Sequence, residues 1–483
     1  MNGKIRNLFG LFVLLFALLI AFTSRWTVFE AKSLQDNPHN RRPLLEQMRH
    51  PRGLITADDG TVLASNKSTG SGETKRYYRT YPKGSLFSHE VGYFYISRGM
   101  ASLEEKYDDQ LAGRENEFAS AIDQLLGHRV EGEDLRTNLD PNAQRVALAA
   151  LAGRKGSVVA MEPSTGRIRV MASVPGYDPN RIPVDAPQLN KDPNSPLLNR
   201  ATQGRYPPGS TFKVVTATAA IDSGRYNPNS FISGKSPKVI SGVPLKNFGN
   251  ESFGPISLTD ALTHSVNTVF GEIGEKLGRA TMLHYMRAYG FQRKPPMDYP
   301  RSQMVASGAF PAKACGSGID FGRVAIGQEC HLFVTPLQMA EVAATIANGG
   351  VRMKPLLADR IVAKDGRVKK RFRPQVAATV MSRQSAAQLG QMMQHVVEEG
   401  TGTAARLAGI SVAGKTGTAE IPGTSENQVW FICFAPADNP KMAVAATIER
   451  TQGEGGTVAA PVAKQVLQAL LGRAAGTNGG NGG

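Results

Sequence analysis

Hydrophobic residues follow three different patterns along the chain. An uninterrupted apolar stretch, Leu8–Phe22, lies near the N-terminus, whereas residues 25–136 are polar, punctuated by glycine and poor in long apolar runs. Beyond residue 137, apolar runs of strand length alternate with segments whose apolar residues recur at helical spacing. The pattern predicts four parts: a cytoplasmic tip and transmembrane anchor (1–24), an elongated N-terminal pedestal domain (25–136), a large folded domain (137–473) and a disordered tail (474–483).

The apolar stretch predicts a membrane anchor. Its 15 residues are few for a span, because a helix needs about 20 residues to cross the hydrocarbon core, but the residues up to Trp26 extend it to the interface. A removable signal peptide is the alternative, and Ala21–Arg25 makes a poor cleavage site for it. Because Lys4 and Arg6 precede the stretch, we expect a single-pass signal anchor in the cytoplasmic membrane, with the bulk of the chain outside the cytoplasm.

The large domain is predicted to be α+β, with one antiparallel sheet covered by helices. Asp140 and Pro141 make a good N-cap and first residue for a helix over Asn142–Leu151. Strands are predicted at Ser157–Met161, Ile168–Ala172, Ile410–Ile421, Val429–Phe434 and Met442–Glu449, and further helices at 210–222, 257–264, 335–348, 384–398 and 461–471. In the pedestal, residues 52–63 predict a hairpin around an Asp-Gly turn, and residues 102–111 a surface helix capped by Ser102.

The net charge bears on the binding partners of the protein, and its cysteines bear on metal binding and disulfide formation. Lys and Arg (56) exceed Asp and Glu (40) by 16, so the surface attracts polyanions. No nucleic-acid-binding motif accompanies the charge, and we predict no nucleic-acid partner; anionic lipid or an acidic wall polymer fits better. No His, Cys and Glu spacing predicts a metal site. Of three cysteines, Cys433 is predicted to be a core thiol, whereas spacing alone leaves open whether Cys315 and Cys330 form a disulfide.

The first candidate for chemistry is Ser210-Thr-Phe-Lys213, which follows Pro207-Pro208-Gly209. Ser210 is the one serine of the chain with a lysine three residues on, and it begins a helix that is apolar on almost every side. Three residues along a helix bring Lys213 to the same face. A buried lysine loses several pKa units, and it can then accept the proton of a serine near neutral pH.

Two further elements complete a candidate catalytic set. In Ser265-Val-Asn267, alternate residues of an extended loop face one cleft, where the hydroxyl of Ser265 relays a proton and the amide of Asn267 holds a substrate carbonyl. Lys415-Thr-Gly-Thr418 lies in a predicted strand, where Lys415, Thr416 and Thr418 bind a carboxylate and Gly417 permits close approach of the backbone. The N–H groups of Ser210 and Thr418 are candidates for an oxyanion hole.

A phosphate-binding loop is a rival interpretation of the third element. The residues Gly409-Ile-Ser-Val-Ala-Gly414-Lys415-Thr416 match that motif letter for letter. Such a loop must follow a strand and open a helix, whereas Glu420-Ile-Pro-Gly423 breaks a helix directly afterwards. We therefore predict that the chain binds no nucleotide, and no cofactor is expected.

Taken together, these motifs make the chain resemble the monofunctional, class B penicillin-binding proteins, and within them the actinobacterial elongation and division branch. The resemblance extends from Lys4 to Leu471. It rests on the three catalytic elements and on Arg52-Gly-x-Ile, Tyr81-Pro-x-Gly, Leu103-Glu-x-x-Tyr107-Asp and Thr335-Pro-Leu-Gln-Met-Ala340. One departure is Ile326-Gly-Gln-Glu-Cys330, where relatives often have a second glycine after the glutamine.

The resemblance implies a peptidoglycan D,D-transpeptidase with a serine transpeptidase or β-lactamase-like fold. It implies that residues 137–473 are the transpeptidase, penicillin-binding domain and that residues 25–136 are a pedestal or dimerisation domain. It implies that Ser210 attacks the bond between two D-alanines of a stem peptide, with Lys213 as base and Ser265 as proton carrier, while Lys415 shapes the local potential. Asn267 is then expected to hold the donor backbone, and Thr416 and Thr418 its terminal carboxylate. β-Lactam antibiotics are expected to acylate the same serine, and a membrane glycosyltransferase partner is implied, because the chain contains no such module.

Two alternatives to crosslinking stay open at this point. A D,D-carboxypeptidase or a β-lactamase uses the same residues but transfers the acyl group to water. A β-lactam receptor or an inactive scaffold is acylated without turnover. The complete set of catalytic residues argues against the last of these.

Overall fold

The computed structural model describes residues 2–30, 48–114, 132–310 and 318–477. Asn2–Ser24 forms the first helix. Within the described residues, one helical segment, Gly3–Thr27, is long and apolar enough to cross a membrane. This segment contains the apolar stretch predicted to be the anchor.

A six-stranded sheet contains the strands of the N-terminal part. In spatial order its strands are Val368–Arg371, Ala358–Val362, Asp134–Thr137, Ile55–Thr56, Val62–Thr69 and Arg76–Thr80. Ile55–Thr56 pairs antiparallel with Val62–Thr69, which confirms the predicted hairpin. Two of the six strands come from far along the chain: Ala358–Val362 pairs with Asp134–Thr137, and Val368–Arg371 pairs with Ala358–Val362. The sheet thus joins residues from both sides of the predicted boundary at 136, and the domain division stays a prediction.

A five-stranded antiparallel sheet forms the centre of the large domain. Its spatial order is Ala413–Glu420, Asn427–Ala435, Met442–Thr451, Gly156–Met161 and Ile168–Val174. All five strands were predicted. Ala413–Glu420, called here the Lys415 strand, lies at one edge, so every second backbone group along it is free of sheet pairing.

Helices cover both faces of this sheet, which confirms the predicted α+β fold. On one face, alanines and leucines of Pro141–Leu151 and Ala460–Thr477 pack against alternate strand residues such as Val158 and Val444. On the other, Pro336–Ala347, Arg383–Glu398 and the Lys213 helix (Lys213–Asp222) form the larger core. Every residue from Lys213 to Ile221 is buried, so this helix lies inside the domain and not on its surface.

Smaller elements complete the described fold. Short helices lie at Ser88–Val91, Ser102–Lys106, Asp108–Ala112, Ile182–Leu189, Arg200–Gln203, Leu258–Thr263 and Phe321–Val324. Two-stranded pairs join Phe94–Tyr95 to Gly99–Met100, Phe231–Ser233 to Pro255–Ser257, Lys238–Ile240 to Val243–Leu245, Gly308–Ala309 to Leu332–Phe333 and Val351–Met353 to Val376–Thr379.

Two sequence-based predictions are wrong. Residues 102–111 form two short helices, and Ser102 does not cap them: its φ is +59° and its buried hydroxyl donates to the carbonyl of His89. Asn267 does not lie in an extended loop. It begins a long helix, Asn267–Ala288, called here the Asn267 helix, which is interrupted at Gly278.

The predictions for the C-terminal tail and for the cysteines have different outcomes. The last helix continues to Thr477, four residues into the predicted disordered tail, and residues 478–483 lie outside the described residues. Cys433 is a buried free thiol, as predicted. Cys330 is disulfide-bonded, whereas Cys315 lies outside the described residues.

Candidate active site

Ser210 lies in the helical turn Gly209–Phe212, directly before the Lys213 helix. The turn is possible because Gly209 has a φ of +52°, and its N–H donates to the carbonyl of Gly327 over 3.1 Å. A Cβ on Gly209 would lie 2.8 Å from the carbonyl oxygen of Thr418. The serine turn therefore rests directly against the Lys415 strand.

Lys213 is completely buried. Its Nζ donates to the backbone carbonyl of Ser265 over 2.6 Å and to Oδ1 of Asn267 over 2.6 Å, and lies 3.2 Å from Oγ of Ser265. Burial, followed by the nearby positive charge of Lys415, holds the pKa of Lys213 well below its ordinary value. The surroundings of Lys213 therefore favour the uncharged amine.

Ser265 connects the two lysines of the site. The Nζ atom of Lys415 donates to Oγ of Ser265 over 2.9 Å, and its other contacts are the carbonyl and hydroxyl of Thr416 at 3.2 and 3.4 Å. Burial lowers the pKa of Lys415 to about 7. Because two positive charges next to one hydroxyl repel each other, the site disfavours the state in which both lysines are charged.

The Ser265–Asn267 segment turns sharply between two helices. Ser265 has a φ of +59°, in the left-handed region that residues other than glycine rarely adopt. The Asn267 helix has no cap from its own flanking side chain, and Oδ1 of Asn247 accepts a hydrogen bond from the N–H of Thr268 instead. Nδ2 of Asn267 donates to the carbonyl of Lys246 over 3.0 Å. The loop before the helix therefore fixes the orientation of the Asn267 amide.

The Lys415 strand brings its hydroxyl groups to the same place. Gly417 is required here, because a Cβ would lie 2.7 Å from the carbonyl oxygen of Pro208. Thr416 is buried, and its Oγ1 lies 2.6 Å from Oγ1 of Thr401. Thr418 is half-buried, and its Oγ1 accepts a hydrogen bond from the N–H of Gly455 over 3.1 Å.

One cavity of about 560 Å³ collects these groups. Five of the predicted site residues line it, namely Ser210, Ser265, Asn267, Thr416 and Thr418, while Lys213 and Lys415 lie buried behind them. The three sequence elements thus converge on one groove, as predicted. Among the described residues, no group of three or more His, Cys, Asp and Glu side chains is placed to hold a metal ion.

Sequence reasoning missed much of the cavity wall. Thr401 lies in Gly400-Thr-Gly-Thr-Ala404, for which the sequence predicts only a turn, and the segment 244–250 carries no motif. Other lining residues with no sequence signal are His264, Arg323, Gln328, Glu420, Asn427, Glu454 and Gly456. The one available signal was the repetition of Gly and Thr in Gly400-Thr-Gly-Thr403, shortly before the Lys415 strand.

The rival phosphate-binding interpretation fails on the local structure. Residues 413–420 form a strand of the five-stranded sheet, and no helix begins at Lys415 or Thr416. The motif therefore lacks the helix N-terminus that would bind a phosphate.

Comparison with known proteins agrees with the fold. The model of the penicillin-binding protein transpeptidase domain matches residues 156–468, and that of the penicillin-binding protein A dimerisation domain matches residues 52–135. The chain belongs to the family of penicillin-binding protein transpeptidases. It shares 35% identity with the peptidoglycan D,D-transpeptidase PbpA of Mycolicibacterium smegmatis, over 98% of this chain and 99% of the relative.

Solved structures support the same assignment. Penicillin-binding protein A from Mycobacterium tuberculosis, solved as a ceftriaxone acyl-enzyme complex, superposes with a TM-score of 0.80 and 32% identity, covering 88% of this chain and all of that one. A D,D-transpeptidase domain from Eggerthella lenta gives a TM-score of 0.78 at 32% identity, over 88% of this chain and 99% of that one. The antiparallel sheet with its covering helices is thus the fold of this family.

Proposed function

We propose that the protein is a peptidoglycan D,D-transpeptidase, which crosslinks stem peptides through an acyl-enzyme on Ser210 and is acylated by β-lactams at the same residue. The observation that carries the proposal is the position of Lys213, fully buried one helical turn from the cavity-lining Ser210, where burial lowers the pKa of its amine. A serine hydroxyl needs such a base because it is a weak nucleophile at neutral pH.

The hydrogen bonds of Lys213 fit a base. A neutral amine has two N–H donors and one lone pair, and two acceptors lie 2.6 Å from Nζ, on Ser265 and Asn267. With both N–H groups used there, the lone pair is left for a hydroxyl proton. Lys213 therefore accepts the proton of Ser210 as Oγ attacks the carbonyl carbon between the two terminal D-alanines.

The remaining residues have roles that follow from their positions. Ser265, in contact with both lysines, passes the proton to the nitrogen of the leaving D-alanine. The backbone N–H groups of Ser210 and Thr418 stabilise the oxyanion, a contribution of about 3 kcal/mol for each donor. Asn267 holds the donor backbone, Thr416 and Thr418 hold the terminal carboxylate, and the Gly417 backbone allows close approach.

A second stem peptide completes the reaction. Its free amine attacks the acyl carbon on Ser210, the ester bond breaks, and the proton of the amine returns through Lys213 to the serine oxygen. The apolar N-terminal helix is a single-pass anchor that places this chemistry outside the cytoplasm, where the wall polymer lies. A glycosyltransferase in the same membrane supplies the glycan strands.

Intact-mass measurement with benzylpenicillin tests the nucleophile. The parent protein gains one adduct, and Ser210→Ala gains none. Ser223→Ala is the control: it removes an exposed serine at the end of the Lys213 helix and should keep the adduct. Labelling of any residue other than Ser210 would overturn the assignment.

A second experiment separates crosslinking from hydrolysis. The protein is incubated with a labelled stem pentapeptide, with and without an acceptor amine. A transpeptidase forms the crosslinked product with the amine present. Release of tetrapeptide alone under both conditions would show a carboxypeptidase, and a stable adduct without any product a receptor.

A further inference from the structure

Thr401 stands at the mouth of the cavity, beyond the three sequence elements. It follows the helix Arg383–Glu398, it is exposed, and it lines the cavity. Two glycine contacts fix its loop: a Cβ on Gly456 would lie 2.3 Å from the carbonyl oxygen of Thr401, and a Cβ on Gly400 would lie 2.4 Å from that of Thr263. The position of the Thr401 hydroxyl is therefore set by backbone packing.

The hydrogen bonds that lead to Thr401 have a defined direction. Lys415, when charged, has only N–H donors, so Oγ1 of Thr416 is the acceptor of their 3.4 Å contact. With that oxygen accepting from Lys415, we assign the proton of Thr416 to its other near partner, Oγ1 of Thr401 at 2.6 Å, a contact in which either oxygen can donate. Within the described residues the hydroxyl of Thr401 makes no further hydrogen bond, and its own proton is left for the cavity.

The exposure of the three threonines agrees with these hydrogen-bond directions. Thr416 is only 6% exposed, whereas Thr401 is exposed and Thr418 is half-buried. The hydroxyl oxygen of Thr418 accepts from the N–H of Gly455, so its proton is also free for the cavity. Two hydroxyl protons, from Thr401 and Thr418, are thus presented to a ligand.

We propose that Thr401 binds the terminal carboxylate of the stem peptide, and the matching carboxylate of β-lactams, directly, while Thr416 acts as a positioning residue that connects it to Lys415. This inference rests on the proposed function and refines its carboxylate site: Thr401, together with Thr418, takes the direct contact assigned above to Thr416. The ammonium of Lys415 polarises Thr416, which in turn makes the proton of Thr401 a better donor to an anion. Hydrogen bonds to charged groups are stronger than those between neutral groups, so the contact favours a carboxylate over its ester.

The test compares benzylpenicillin with its methyl ester, in which the carboxylate is masked, on the full chain. The second-order rate of Ser210 acylation is measured for the parent, Thr401→Val, Thr401→Ala and Thr401→Ser. Thr403→Val is the matched control, because Thr403 is an exposed threonine of the same loop that does not line the cavity.

Removing the Thr401 hydroxyl is expected to slow acylation by benzylpenicillin about 10- to 100-fold, the loss of one hydrogen bond to a charge. With the methyl ester, the acylation rate of these variants is expected to stay within about twofold of the rate of the parent protein with the same ester. Thr401→Ser and Thr403→Val are expected to react like the parent with both compounds.

Two results would overturn the inference. Equal slowing of both compounds would mean that Thr401 only supports the loop, and unchanged rates would mean that it does not bind the carboxylate. Neither result touches the proposed function, which fails separately if the parent protein is not acylated at Ser210.

Discussion

Lys213 and Lys415 share one hydroxyl group: Oγ of Ser265 lies 3.2 Å from Nζ of Lys213 and 2.9 Å from Nζ of Lys415. Both lysines are fully buried, and the pKa of each is lowered by that burial. The second cause of the lowered pKa of Lys213 is the charge of Lys415. The base of the proposed mechanism is thus tuned by its neighbour.

Lys415→Met tests this coupling. Lys213 acts as a base above its pKa, and the positive charge of Lys415 lowers that pKa. Without the charge the pKa of Lys213 rises, so the amine becomes protonated at a higher pH. We expect the acid limb of the pH profile for penicillin acylation to move to higher pH, whatever the loss in absolute rate.

The measurement is the acylation rate of the full chain from acid to alkaline pH. Lys83→Met changes an exposed lysine that is distant in sequence from Lys213 and Lys415, and it should keep the pH profile of the parent. An acid limb that stays in place in Lys415→Met would mean that Lys415 does not influence the base.

Gly327→Ala is expected to disturb the serine turn. Gly327 has a φ of +74°, and a Cβ there would lie 1.9 Å from the carbonyl oxygen of Gly209. Gly366 is the matched control, since its φ is +83° but a Cβ would meet nothing within 4 Å. Both variants carry the left-handed strain of about 1–2 kcal/mol, so only the clash differs.

We expect Gly327→Ala to slow acylation roughly 100-fold, the usual effect of a misplaced reacting group. Gly366→Ala should react like the parent and lose only stability. Penicillin acylation kinetics and thermal unfolding of both variants check this. Equal acylation rates would show that the Gly209–Gly327 contact does not position Ser210.

Glu104→Gln is expected to destabilise the N-terminal part. Glu104 is fully buried and pairs with two buried guanidinium groups, those of Arg52 and Arg79. Removing its charge leaves both arginines without their shared counter-ion, which costs about 3–5 kcal/mol of unfolding free energy. Urea unfolding measures the loss.

Asp109→Asn is the control for that change. Asp109 is exposed and pairs with Arg114 at the surface, where an ion pair contributes about 0–1 kcal/mol. Similar effects for the two variants would contradict a special role for the buried pair.

Glu90 should make stability depend on pH. Burial raises the pKa of Glu90 to about 8, whereas burial lowers the pKa of neighbouring His89 to about 4. Between the ordinary pKa of Glu90 and about 8, the folded protein holds a proton that the unfolded chain releases, so stability falls as pH rises. Below about 6.5, His89 has the opposite effect, and above about 7 so does Lys415, whose pKa burial lowers to about 7. The contribution of Glu90 is therefore the difference in slope between the parent and Glu90→Gln from pH 6.5 to 8.

Over that range Glu90 lowers stability by at most about 1.4 kcal/mol per pH unit, and Glu90→Gln should remove this contribution from the slope. The amide side chain of Gln144, which donates to Glu90, keeps an acceptor in the variant. Urea unfolding at several pH values is the measurement. Equal slopes in the parent and in Glu90→Gln would contradict a raised pKa of Glu90.

Local interactions explain which predictions from the sequence are confirmed. Ser210 and Lys213 are one helical turn apart, and the alternation around Lys415 is that of a strand, so neighbours in sequence determine both. The Asn267 helix was not predicted because its start depends on Asn247, a residue of a separate loop. The side chain of Asn247 accepts a hydrogen bond from the N–H of Thr268. Interruption by Gly278 further weakened its helical pattern.

The sequence by itself determined the order and chemistry of the catalytic elements, the strands of the five-stranded sheet, and the family. Only the tertiary structure brought Ser265 between Lys213 and Lys415 and placed Thr401 on Thr416. The reason is physical: hydrophobic pattern and helix spacing act over a few residues. The burial that makes Lys213 a base and the contact that orients Thr416 arise between segments that meet only when the core is packed.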